Sequence, residues 1–102
     1  MKEIKWIAET IDSELEAAEH YAKAVHHYKD SDKELSRLCV TLAEAEMEHV
    51  DRLHRQAVRV INEYKETGRE APAAMQAVWN WQHEKMIERT IAIQKILSMG
   101  NS

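Results

Sequence analysis

In 102 residues the chain has one cysteine, one proline, two glycines and no phenylalanine. A lone thiol, Cys39, excludes a disulfide framework within one chain and suits a reducing cytosol. It lies beside Leu38 and Leu42, as a buried structural thiol would. With both glycines at the ends of periodic segments, almost nothing interrupts helix. No apolar run approaches the ~20 residues of a membrane span, and Met1 to Lys5 lack the apolar stretch of a signal peptide. Basic residues are not in surplus either: 14 Lys and Arg stand against 18 Asp and Glu, a net charge of −4. Interleaved in this way, they argue against a nucleic-acid or anionic-membrane partner. A soluble, cytoplasmic protein of one domain, residues 1–102, is expected, with a core modest enough that association is a natural supplement.

Hydrophobic periodicity predicts an all-α chain with helices over about 2–28, 32–67 and 72–99. Ser31 and Glu34 have the spacing of a capping box for the second helix. Gly68 suits its left-handed C-terminal cap, and Pro72 the first turn of the third. Short connections predict antiparallel neighbours. The second helix, at roughly 50 Å, outruns the first at about 40 Å, so its last turns project or meet another chain.

The second helix carries an anomaly. Its apolar stripe reads Leu35, Leu38, Leu42, Leu53, Ala57, Val60 and Tyr64. Glu46 falls within roughly 20° of the stripe's centre and His49 within about 50°. A lone buried carboxylate costs several kcal/mol, so a positive partner is required. The first helix repeats the theme: Ile4, Ile7, Ile11, Leu15, Ala18, Ala22 and Val25 form the stripe, with Glu14 roughly 50° from its centre. Glu9, Glu16 and Lys23 project away from it, and Tyr21 follows Glu14 by one heptad. Counted from the turn, Glu14 lies about 16 residues back and Glu46 about 15 forward, level to within one helical turn.

Two carboxylates and an imidazole at one level suit iron, manganese or zinc. The i, i+3 spacing of Glu46 and His49 lets both converge on one ion. The alternative is a core ion pair, for which Arg52 and Lys85 are the nearest cations by phase. Ferritin-like bundles take one Glu from each of two helices and Glu-x-x-His from each of two others. This chain supplies half that set, and a two-fold axis would complete it with Glu14, Glu46 and His49 from each of two chains.

The segments Glu14-Leu15-Glu16-Ala17-Ala18-Glu19-His20-Tyr21, Asp32-Lys33-Glu34-Leu35 and Glu46-Met47-Glu48-His49 resemble the ferritin-like superfamily. The likeness is closest to the short, half-size ferritins, including the encapsulated ferritins, and the rubrerythrin-like proteins share the spacing. It spans Lys2 to Gln56. The resemblance implies a helical hairpin that dimerises into a four-helix bundle around a shared di-iron centre, where Fe(II) is oxidised by O2 or peroxide. Glu14, Glu46 and His49 would be the metal ligands, with Tyr21 beside the centre in a catalytic role and Glu16 guiding metal toward it. Ser13 and His20 depart from the encapsulated-ferritin pattern, where Glu and Trp are usual, and the third helix is longer. No basic-hydrophobic cargo peptide follows Ile96 to Ser102, so packaging in an encapsulin shell is not expected. One cysteine cannot build a rubredoxin-type iron site.

On the third helix, Met75, Trp79, Gln82, Met86, Thr90, Ile93 and Leu97 form the stripe. His83 borders it and Glu84 points away, so neither is expected as a ligand. Ile87 and Ile91 add a second apolar flank, and Trp81 faces away from the stripe, a width that points to a homodimer or higher homo-oligomer. The leading expectation is a ferroxidase-type oxidoreductase. The alternative is a non-catalytic helical assembly or regulatory module, metal-stabilised or metal-free.

Overall fold

A computed structural model describes residues 2–68 and 73–100, apart from the side chains of residues 74, 75, 78 and 100. The described residues contain three helices and no strand: α1 (Lys2–Tyr28), α2 (Lys33–Glu66) and α3 (Ala73–Gly100). Pro72 lies outside the described residues, as does the side chain of Met75.

The α1–α2 turn is capped differently from the expected Ser31–Glu34 box. Asp32 is the N-cap, and its Oδ1 accepts the Leu35 amide at 3.0 Å. The aspartate sits three residues before that amide, the spacing at which a capping side chain reaches an unpaired helical N–H. Gly68 adopts φ 80°, in the left-handed region, and its amide donates to the Lys65 carbonyl at 3.0 Å. A Cβ there would be strained by the backbone conformation, so glycine ends α2.

α1 and α2 form an antiparallel hairpin, and α3 returns parallel to α1, leaning mainly on it. On α1 the buried face is Ile4, Ile7, Ala8, Ile11, Leu15, Ala18, Ala22 and Val25, in line with the sequence stripe. On α2 the buried face is rotated from the expected one. It runs through Ser36, Cys39, Ala43, Val50, Ala57 and Ile61, while Leu38 is 51% exposed and Leu35, Leu42, Leu53 and Val60 are half-buried. Small residues alternate there with Val50 and Ile61, and Met47, Leu53 and Val60 pack against the core from the edge of the same face. From α3, Trp79 and Ile93 enter the core, with Met86, Ile96 and Leu97 packed against it.

Polar contacts set the register. Ser36 Oγ donates to the Val25 carbonyl at 2.7 Å, tying the two ends of the hairpin turn. Arg89 meets Asp12 at 3.4 Å, and the Gln82 amide, oriented with its nitrogen toward α1, donates to both Asp12 oxygens at 3.2 and 3.3 Å. The His26 ring lies 2.7 Å from the Ile96 carbonyl. The molecule is a rod of 57 × 18 × 17 Å. α2 alone, at about 1.5 Å per residue, spans most of that length.

Candidate metal centre

Glu14 on α1 and Glu46 and His49 on α2 meet near the middle of the hairpin. One ligand atom from each lies within 4.8 Å of the other two. His49 Nδ1 is 3.2 Å from Glu14 Oε2 and 3.6 Å from Glu46 Oε2. The antiparallel hairpin thus brings two residues 35 apart in sequence into contact. Donors bound to one ion at about 2.1 Å sit about 3.0 Å apart in octahedral and 3.4 Å apart in tetrahedral geometry. His49 Nδ1 thus stands about as far from each carboxylate as neighbouring ligands of one cation do, the three donors all lie within 4.8 Å of one another, and their chemistry suits iron, manganese or zinc.

The burial of the three differs from the expected placement at the stripe centre. The side chains of Glu14 and Glu46 are 26% and 22% exposed, and that of His49 is 52% exposed. Because the packed seam of α2 is rotated toward Cys39, Ala43 and Val50, the ligands stand on its flank. Glu14 lies roughly 160° round α1 from Asp12, the residue that meets Arg89. The three donors consequently face away from α3, on a side that the described residues leave partly open. Neither cation considered as a core partner for Glu46 takes that part: Arg52 pairs with Glu48 at 2.6 Å, and Lys85 lies 4.1 Å above the Trp81 ring.

The remaining sequence candidates fall outside the cluster. Tyr21 is half-buried two turns along α1, its ring edge-on to that of His20 at 5.8 Å. Glu16 and Glu84 are exposed. Among the described residues no other group of three metal-ligating side chains comes together. Comparison with protein-family models, with curated proteins and with solved structures finds no match for this chain. The candidate site therefore rests on its own geometry and on the resemblance of its motifs.

A second titratable cluster lies on the α3 side of the hairpin, and periodicity of the apolar residues did not reveal it. His54 stacks on His83 at 5.0 Å between centroids, and Trp79 stacks with both at 5.9 Å. The i, i+4 spacing of Trp79 and His83 was the available signal, since such residues share a helix face. Next to the stack is a cavity of about 130 Å³ lined by Met47, Val50, Asp51, His54, Met86 and Thr90. Burial holds the His54 imidazole below its ordinary pKa by disfavouring the charged form. Neighbouring His83 adds to the effect and Asp51 opposes it. No helix of the described residues is long and apolar enough to cross a membrane.

Proposed function

We propose that two copies of this chain build a ferritin-like, two-metal carboxylate–histidine centre that oxidises Fe(II) with O2 or peroxide. The observation that carries the reading is the convergence of Glu14, Glu46 and His49 to within 4.8 Å on a flank that the described residues leave partly open. Three donors leave a transition-metal ion short of its preferred four to six, and a second copy would bring three more across a two-fold axis. Half-exposed Leu38 and Trp6, at 51% and 61%, flank the ligands as an interface would require.

Iron would supply the chemistry, each Fe(II) giving one electron to the oxidant. Glu14 and Glu46 would hold the ions with negative charge, which favours the more highly charged oxidised state. His49 adds a neutral donor that limits the charge collected at the site. His49 is the most exposed of the three in the single chain, so it has the most surface for a second copy to cover. Manganese or zinc would fit the same donors without the same redox outcome.

A second reading is a helical assembly module without catalysis. It is favoured by the 3.2 Å contact between His49 and Glu14, which lets the three side chains satisfy one another with no ion. The two readings part in one assay. Fe(II) is added anaerobically, air or peroxide is admitted, and the near-ultraviolet absorbance of ferric iron is followed. The wild type is expected to oxidise two irons per dimer and Glu46→Ala none above the buffer rate. Equal rates in the two proteins would remove the ferroxidase reading. Metal binding with no oxidation would leave the structural one.

A further inference from the structure

On the hairpin face turned away from α3, apolar residues are laid out symmetrically about the ligands. From the midpoint of Glu46 and His49 along α2, Leu42 and Leu53 lie about 8 Å to either side, and Leu35 and Val60 about 19 Å. All four are half-buried within the chain. Two further features match as knob and hole. Toward the start of α1, a cleft of about 440 Å³ opens among residues that include Trp6, Leu53, Gln56 and Val60. Toward the α1–α2 turn stands Leu38, a large apolar side chain that is 51% exposed. Trp6 is about 12 Å from the level of Glu14 in one direction, and Leu38 about 14 Å from the ligand midpoint in the other.

We infer that this face docks a second copy of the chain with every helix reversed, so that Leu38 of each copy seats in the Trp6 cleft of the other. The inference rests on the shared two-metal site proposed above and adds its orientation and contacts. A two-fold axis crossing the rod at the ligand level carries a residue from one side of the site to the same distance on the other. Leu38 then arrives at the cleft, Leu42 at Leu53 and Leu35 at Val60, each contact occurring twice, as an isologous interface requires. A two-fold axis along the rod also brings the ligands level, but it keeps each Leu38 at the turn end, opposite α1 of the other copy and away from the Trp6 cleft at the far end. That arrangement leaves two apolar hollows unfilled, at the cost of the dispersion contacts their linings lack. The size is adequate as well. A face of the 57 × 18 Å rod offers on the order of 1,000 Å², against about 800 Å² per partner in a standard stable complex.

Cross-linking of metal-free protein tests the orientation. Chains with Leu38→Cys and chains with Gln56→Cys, each with Cys39→Ala, are mixed and treated with a short bismaleimide. Both positions are exposed in the single chain, so the substitutions leave its core untouched. The mixed product, joining position 38 to position 56, is expected to exceed either same-position product at least tenfold. Dominance of 38–38 and 56–56 products would overturn the reversed arrangement, and so would a failure to cross-link at all. In the otherwise unaltered chain, Leu38→Glu is expected to weaken dimerisation in sedimentation at least tenfold with helicity unchanged. Ile91→Glu, on α3, is expected to leave it as it was, and equal effects of the two would sink the proposal. Neither experiment contains iron. A mixed cross-link without iron oxidation would therefore count against the ferroxidase reading alone, and oxidation with the wrong cross-link against the orientation alone.

Discussion

Among the described residues Ser36 is the one buried polar side chain, and its hydroxyl donates to the Val25 carbonyl at 2.7 Å. The carbonyl lies in the last turn of α1, where main-chain acceptors run out of helical partners. Removing the hydroxyl in Ser36→Ala leaves that acceptor short in a site water barely reaches. Stability is expected to fall by about 1–2 kcal/mol, measured by urea unfolding, and a loss under the experimental error would deny the bond its role. Ala57 makes the complementary point about volume. It is fully buried in the core, and Ala57→Leu adds three carbons where no surface is left to receive them. Overpacking of this kind is expected to cost about 1–3 kcal/mol in the same measurement, whereas Leu38→Ala, at an exposed position, costs far less in the isolated chain. The contrast is physical: a fully buried position has no room to give, whereas an exposed side chain loses few contacts with its own chain.

At the scale of elements, α3 is joined to the hairpin by a stack of titratable rings as well as by aliphatic packing. The fold favours neutral His54, whose pKa is lowered from 6.5 chiefly by burial, with His83 adding to it. An unfolded chain binds that proton more readily, so stability is lost on acidification. The contribution of His54 is full above about pH 6.5 and disappears as the pH falls through the lowered value of the folded state. Docking of α3, followed by Trp fluorescence and by hydrogen exchange along 79–97, is thus expected to loosen as the pH falls below about 6.5. His54→Phe keeps a stacked ring without the proton, and a flat pH response is expected for it. An identical acid transition in both proteins would assign the effect to other groups.

At the scale of the whole molecule, a thin rod with an uncovered, partly apolar face is expected to gain stability from whatever binds that face. Melting temperature should rise with protein concentration if dimers form. A divalent metal at a hundredfold excess over its dissociation constant should add about 2.7 kcal/mol, or roughly 10–20 °C for a domain of this size. His49→Ala and a chelator should each abolish the metal-dependent part, read by calorimetry. A metal shift that survives His49→Ala would place the ion elsewhere.

Helix content, the three segments and the level meeting of Glu14 with Glu46 and His49 were legible in the residues. They depend on local periodicity, on turn chemistry and on counting along two antiparallel rods, all properties of short stretches of chain. Gly68 belongs with them, since its left-handed conformation is demanded by the end of one helix. The cap at Asp32 in place of Ser31 was not, because either residue can offer an oxygen and only the path of the turn selects one. Nor was the rotation of α2. Its leucine line reads as a single core stripe, yet the buried residues of α2 are Ser36, Cys39, Ala43, Val50, Ala57 and Ile61, and Leu38 is left in the open. Periodicity reports that a face is apolar and says nothing of what will cover it. By itself the sequence determined which helices form and which side chains stand level at the candidate centre. The tertiary structure decided that those side chains lie on the flank of the seam, because the face of α2 that its neighbours cover is set by how the three helices pack, which the periodicity of one helix does not contain.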